Sequence, residues 1–263
     1  VPRTPANYNA AMKWILALVI GASLSFPTLA AAEVLIVADE FPAMEIVAQR
    51  LKQDEGITSK IIKQDEMPAE LGKFSAVVVY VHKKLEDAPA KAMVDYTNTG
   101  GKLVALHHSI SSGKRENKHW FPFLGMDLPK ADVEQGGYKW IEGVKLQIVN
   151  LASGHFITTH KVNYEARTAY SSADTRDEKQ RPAFALEESE VYLNHTFTGP
   201  RTALLGLKYS DEKSGKTWMQ DRAGWLKPSG KGWIVYLMPG HRAQEFQHPA
   251  YSRIVLNAIT FKP

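Results

Sequence analysis

The chain contains no cysteine among its 263 residues. That excludes a disulfide scaffold, a thiolate nucleophile, a cysteine-based zinc motif and a lipid anchor on cysteine. Long hydrophobic runs are also missing: the best one, Trp14 to Leu24, is too short to cross a bilayer as a helix. Neither sign of charge dominates, with 32 basic residues against 28 acidic ones and a formal net charge of +4. The basic residues are scattered among acidic ones and form no stripe, so nucleic acid is not an expected partner. There is no G-x-G-x-x-G or Walker loop after a strand, no H-E-x-x-H, no EF-hand loop and no internal repeat, which removes the usual dinucleotide, phosphate, zincin and calcium readings.

Near the start, Met12 and Lys13 precede the apolar run from Trp14, and a small-residue segment ends at Ala30-Ala31-Ala32 before Glu33. This pattern predicts a secretory signal peptide within a leader spanning residues 1–32, cleaved after Ala32, and hence a periplasmic or secreted protein with no stable membrane insertion. Residues 33–263 are expected to form one α/β domain, large enough to bury a core without covalent staples.

Val34 to Ala38 is a short, β-branched apolar run and reads as a buried strand; Pro42, Met44, Val47, Ala48 and Leu51 then fit a helix with one apolar stripe. Ile57 to Ile62 predicts a second strand and Phe74 to Val81 a third, ending at His82 and Lys83. A helix over residues 87–98 leads through Gly100-Gly101 into the strand Leu103–Leu106. These are βαβ units with short loops, which predict parallel strands joined by right-handed crossovers. The segment Trp120 to Leu124 predicts a short aromatic element. Strands are expected over 144–149, 191–194, 203–208 and 232–238, with an extended segment at Trp218 and a terminal helix after His248-Pro249. The polar tract 165–181 is expected to be an exposed loop or arm.

The strand Leu103–Leu106 ends in His107-His108-Ser109, and the run Gly232 to Met238 ends in Pro239-Gly240-His241. Exits of parallel strands converge on one edge, where open α/β folds bind ligands, so residues far apart in sequence are expected to meet there. Glu190, in a segment with Tyr192 and His195, is placed to add a carboxylate. Imidazoles with a carboxylate suit general acid–base chemistry, and the same donors suit a divalent metal ion. The structural alternatives are rings capping strand-end carbonyls and a cross-strand ion pair for Glu190. Asp39 and Glu40 also stand at a strand end, where carboxylates equally serve a helix start. Ser109 does not fit a nucleophile elbow: glycines are required two residues to either side, and His107 and Ser111 stand there.

With these motifs in view, the chain resembles the ThuA-like family, known from trehalose utilisation and related in fold to class I glutamine amidotransferases. The resemblance runs from Val34 to Phe261. It rests on GGKLVALHHS with His107 in the family position, on His155-Phe156-Ile157-Thr158, on Ser189-Glu190-Val191-Tyr192, and on GKGWIVYLMPGH with EFQHPAY, which places His241 on the second family histidine. Phe156 stands where the family has proline and Ser189 where it has aspartate, and the tract 165–181 looks like an insertion. The resemblance implies an α/β three-layer sandwich with a mostly parallel central sheet, flavodoxin-like or class I glutamine amidotransferase-like. The amidotransferase relatives use a cysteine at the comparable elbow, so glutamine hydrolysis is excluded here.

The resulting expectation is a carbohydrate-active enzyme acting on a sugar or keto-glycoside, a small-molecule partner. His107, Glu190 and His241 are expected to be catalytic, and His108, Ser109, Trp120, His155 and Tyr192 to bind substrate. The alternatives are a non-catalytic carbohydrate-binding protein of the same fold and a metal-dependent glycoside hydrolase; the cofactor is thus unassigned, with a divalent metal as the candidate. Oligomeric state is left open.

Overall fold

The computed structural model describes residues 1–2 and 33–262; the predicted signal peptide lies outside the described residues. In chain order the elements are β1 (Glu33–Ala38), α1 (Phe41–Glu55), β2 (Thr58–Ile62), β3 (Phe74–Tyr80), α2 (Asp87–Asn98), β4 (Lys102–Leu106), α3 (Trp120–Leu124), β5 (Met126–Asp127), β6 (Lys139–Asn150), α4 (Phe156–Thr159), β7 (Ala166–Tyr170), β8 (Lys179–Leu193), β9 (Thr196–Phe197), β10 (Thr202–Ser210), β11 (Thr217–Ser229), β12 (Gly232–Leu237) and α5 (Pro249–Thr260).

Ten strands form one sheet in the order β2-β1-β3-β4-β12-β11-β10-β6-β8-β7, and β5 pairs with β9 separately. The four pairings from β2 to β12 are parallel and the five from β12 to β7 antiparallel. The sheet is therefore mixed, which corrects the expectation of a mostly parallel one. The cause is connection length. A parallel neighbour needs a crossover of a dozen residues or more, whereas β11 returns as β12 through Gly230 and Lys231 alone. Gly230 has φ +58, and a Cβ there would meet the Asn98 Cα at 2.5 Å, so the tight return requires glycine.

Helices α1 and α5 pack together, while α2 packs on β4, β12 and α3, giving a three-layer α/β sandwich. The inner parallel strands are covered on both faces, which is why they read as continuous apolar runs: Val77, Val78 and Val79 of β3 and Leu103 to Leu106 of β4 are all buried. Each such valine or leucine contributes about 1.5–3 kcal/mol through burial. The polar tract 165–181 is only partly a loop, because residues 166–170 form the edge strand β7 and residues 179–181 begin β8, against which it pairs.

Strands β6 and β8 are much longer than the apolar pattern suggested. Residues 146–150 of β6 lie in the main sheet against β10, but residues 139–144 continue beyond it, paired only with the end of β8. The register shifts between Glu142 and Val144 and again between Val144 and Leu146, with Gly143 at φ 67 and Glu188 at φ 50. Bulges of this kind bend and twist a ribbon. The ribbon thereby brings Glu190, five strands away from β4 in the sheet order, back over the exit of β4. Among the described residues no helix is long and apolar enough to cross a membrane.

His195, just after β8, is fully buried beside Phe197 and Tyr236, and neither ring nitrogen has a hydrogen-bond partner. Burial, reinforced by the Arg222 and Arg201 guanidiniums, lowers its pKa to about 3. The folded chain thus leaves His195 neutral where the unfolded chain protonates it. Below about pH 6.5 stability falls, by up to about 1.4 kcal/mol per pH unit from this residue until its folded pKa is reached. A His195→Leu variant is expected to lose less stability between pH 7 and pH 5 than the wild type, measured by urea unfolding at both values. An equal loss in the two proteins would contradict this.

Candidate active site at the strand exits

The parallel strands deliver polar residues to one edge: β1 ends at Asp39 and Glu40, β3 at His82, β4 at His107-His108-Ser109, and β12 leads to Gly240-His241. After Leu106 the chain turns into a 3-10 turn spanning His107–Ile110, which His107 enters at φ 34. That region is uncommon for a residue with a Cβ and costs about 1 kcal/mol. The turn is held nonetheless. Ser109 Oγ lies 2.9 Å from the Val79 carbonyl oxygen and 2.8 Å from that of Leu106, and Trp120 Nε1 donates to the Ser109 carbonyl at 2.6 Å. Ser109 and Trp120 are almost fully buried, so they fasten the turn and present nothing to a substrate, against the binding role expected of them.

His107 is fully buried, and both ring nitrogens are engaged. Nδ1 donates to the Met238 carbonyl oxygen and Nε2 lies 2.7 Å from Glu190 Oε2. Two further imidazoles face that oxygen, His241 through Nδ1 at 3.2 Å and His108 through Nε2 at 4.0 Å. The His241 nitrogen makes no well-aligned hydrogen bond in this geometry, although it lies within reach of the carboxylate. Tyr192 stacks on His107 with ring centroids 4.8 Å apart and its hydroxyl 3.3 Å from His107 Nε2. Thus His107, His108, Glu190, His241 and Tyr192 meet, as expected.

Burial alone would raise the Glu190 pKa, but His107 and His241 together with the Tyr192 hydroxyl reverse this and hold the carboxyl well below the usual range. Contact with Glu190 raises His241 above its ordinary value against the effect of burial. His108 is pushed far down, by burial first and by the neighbouring His107 and His82 rings second. One carboxylate therefore polarises a group of imidazoles held in different states, an arrangement suited to moving protons. One donor atom from each of His107, His108, Glu190 and His241 falls within a sphere of mutual distances under 4.8 Å, so the same residues are also able to hold a metal ion.

Over this group lies a cavity of about 320 Å³, lined by His82, His108, Tyr138, Trp140, Glu142, Glu190 and Tyr192 with the Ser111–Gly113 backbone turn. Its volume sits at the small end of small-molecule sites. The walls come from the bent ribbon, where pairing sets Trp140 opposite Tyr192 and Glu142 opposite Glu190. A larger depression of about 470 Å³ at the opposite edge, near Tyr96, Lys102, Lys231 and Trp233, brings together no comparable set of imidazoles and carboxylates.

His155 belongs to that other side. It caps α4, its Nδ1 accepting from the Ile157 N–H at 3.2 Å, and its ring packs on Phe261. Phe261 lines the depression near Lys102, at the far end of β4 from His107, so the expected substrate contact of His155 is not made. Glu40 was weighed from the sequence as a strand-end carboxylate or a helix-start one, whereas His82, Tyr138, Trp140 and Glu142 were given no role. His82 ends an apolar strand just as His107 does, and that signal was available. It stacks on His108 at 4.1 Å and bonds Glu40 at 2.8 Å. The ribbon residues carried no signal, because Gly143 and the charged residues around it interrupt the strand pattern.

The family profile described as ThuA, trehalose utilisation, matches residues 36–262. The chain belongs to the ThuA family. That membership links it to carbohydrate utilisation, as the family resemblance implied. No curated protein sequence matches this ThuA-family chain. Among solved structures, a putative ThuA-like protein from Bacteroides uniformis is similar at 16% identity and a TM-score of 0.57, covering 89% of this chain and 93% of that one. A cytoplasmic protein from Salmonella typhimurium LT2 is similar at 13% identity and 0.55, covering 86% and 98%. A β-galactosidase from a Bacillus circulans strain matches at 12% identity and 0.50, covering 85% of this chain but 30% of the enzyme. At such identities these likenesses show the shared fold.

The raised pKa of His241 is attributed chiefly to one residue. In chelator-treated protein, Glu190→Gln is expected to lower the His241 pKa relative to wild type, because burial then opposes only the weaker fields of Glu142 and Glu245. Titration of the ring by NMR measures it, and an unchanged midpoint would remove Glu190 as the cause.

Proposed function

We propose that this ThuA-family chain is an enzyme that transforms a sugar, with an oxidised (keto) glycoside as the favoured substrate class, by moving a proton at the strand-exit cluster. The observation that carries the reading is a single carboxylate oxygen, Glu190 Oε2, faced by three imidazoles at the floor of a cavity walled by Tyr138, Trp140 and Tyr192. Aromatic faces stack on the apolar face of a pyranose, while carboxylates and imidazoles bond its hydroxyls. A carbonyl in the ring acidifies the neighbouring C–H, which brings its removal within reach of a carboxylate or imidazole base.

The roles follow from position. Glu190 and His108 line the cavity and are the groups that a substrate reaches, while His107 lies beneath Glu190 and sets its orientation and charge. His241, partly exposed on the other side of the carboxylate, is the exchangeable proton partner. Family membership supports a carbohydrate substrate, and the cavity volume favours one or two sugar rings over a polymer.

The test is turnover of 3-keto-disaccharides by wild type and by Glu190→Gln and His107→Ala. Loss of at least about 100-fold in kcat/KM is expected in each, in the range for removing a general acid–base group. Tight sugar binding with no product, unaffected by either substitution, would instead identify a carbohydrate-binding protein.

Export belongs to the same proposal. β1 starts at Glu33, so cleavage after Ala32 would remove no part of the described fold. Expression in a bacterium with an export pathway is expected to yield a mature protein whose amino terminus is Glu33. Full-length protein confined to the cytoplasmic fraction would contradict it.

A further inference from the structure

The contact between His107 and Glu190 belongs to a convergence of donor atoms that points to a cation. The Met238 carbonyl oxygen can only accept, so Nδ1 of His107 carries the hydrogen. Nε2, the other ring nitrogen, then faces a carboxylate oxygen at 2.7 Å, a contact that either a second ring proton or a metal ion would make favourable. Something positive has to lie between them. His241 Nδ1 and His108 Nε2 approach the same oxygen, so three imidazole nitrogens and one carboxylate oxygen converge on one small volume.

We propose that His107, His108, Glu190 and His241 bind one divalent transition-metal ion, with Glu40 as the outer-shell carboxylate that orients His108. The donor set is three nitrogens and one oxygen, which suits zinc, nickel, cobalt or iron and disfavours the all-oxygen preferences of calcium and magnesium. Ligands about 2.0–2.2 Å from a tetrahedral ion lie roughly 3.4 Å from one another. The distances to Glu190 Oε2, 2.7, 3.2 and 4.0 Å, straddle that value, so small side-chain rotations complete the shell.

An independent observation comes from the outer side of His108. Its side chain is 4% exposed, and Nδ1 is buried without a hydrogen-bond partner. That atom lies 3.9 Å from Glu40 Oε2, and Glu40 also accepts from or pairs with His82 Nδ1 at 2.8 Å. Metal-bound histidines commonly donate their other ring N–H to a carboxylate or a backbone carbonyl. His107 already does so to Met238, and His108 needs only a short movement to do so to Glu40. The second group of potential ligands, Glu40, His82 and His108, is thereby explained as the support of the first. The ion would face the cavity through the Glu190 and His108 side, where a substrate oxygen is able to complete its coordination and be polarised.

This inference takes its location from the proposed sugar site but stands or falls separately. Full-length protein, stripped with dipicolinate and dialysed, is titrated with ZnCl2 by calorimetry without any sugar present. One equivalent per chain is expected, with His241→Ala and Glu190→Gln each weakening binding at least about 100-fold and Glu40→Gln about 10-fold. His241 sits in a partly exposed loop, and equal far-UV spectra establish that the variant folds. Cobalt substitution supplies a second readout: intense visible d–d bands in wild type, lost in His241→Ala. Absence of saturable zinc binding, or binding that the His241 and Glu190 substitutions leave unchanged, overturns the metal site. Zinc binding without keto-sugar turnover keeps the metal site and defeats the sugar reading; keto-sugar turnover without saturable zinc binding does the reverse.

Discussion

The bond from His107 Nδ1 to the Met238 carbonyl is the constraint on which the site depends. It joins the exit of β4 to the exit of β12, two parallel neighbours in the middle of the sheet, and it decides which ring nitrogen is left to face Glu190. The backbone contributes to the same end. His107 takes a left-handed conformation at about 1 kcal/mol, and the Ser109 and Trp120 hydrogen bonds compensate for it within the following turn. The Tyr236 hydroxyl reaches the His107 carbonyl at 3.3 Å from β12. A ring fixed by this many independent contacts has almost no rotamer freedom, so its Nε2 is a stationary point from which the Glu190 carboxylate takes its position.

The two halves of the sheet divide the work. Parallel strands, buried on both faces, make a rigid block whose exits present Glu40, His82, His107, His108 and His241. The antiparallel half supplies what those exits lack, a buried carboxylate and aromatic walls, by sending the β6–β8 ribbon past the sheet and bending it at Gly143 and Glu188. The loop before His241 is equally specific. Gly240 sits at φ +117 against the Phe246 ring, its N–H donates to Glu245 Oε2 at 2.9 Å, and its carbonyl accepts from Tyr80 at 2.7 Å. Tyr251 fastens the preceding Pro239 carbonyl. His241 thus faces Glu190 because the loop before it is pinned from β3, α5 and the turn containing Glu245.

How much of this was legible in the sequence depends on the range of the contacts. Helices α1, α2 and α5 and strands β1 to β4 and β12 are local matters of period and run length, and their residues announce them. That His107 and His241 share an edge followed from parallel topology. That Glu190 joins them was offered by its strand-like segment and supported by the family resemblance, but no local pattern says that a ribbon bends back to bring it there. Trp140 and Glu142 were invisible for the same reason: their significance lies in being opposite Tyr192 and Glu190 across a pairing whose register is set by bulges. Ser109, Trp120 and His155 were misread through their residue types. Each is a polar or aromatic side chain that satisfies a backbone group, a role that sequence neighbours do not distinguish from ligand binding.

The chain also contains its own standard for what an ordinary structural histidine looks like. His155 caps a helix with one nitrogen and packs its ring on Phe261. His195 is buried among aromatic rings, and its nitrogens are aimed at no carboxylate. Both are single rings in settings that leave them uncharged. The strand-exit group differs in kind, because four nitrogen and oxygen donors from the turn after β4, from β8 and from the loop after β12 point at one spot while their own backbones are locked from behind. Packing alone has no use for such convergence: imidazoles brought together around a buried carboxylate repel one another when charged, and burying the carboxylate is costly unless it is paired. The arrangement becomes favourable when a cation, or a proton in transit to a substrate, occupies the space that the donors enclose.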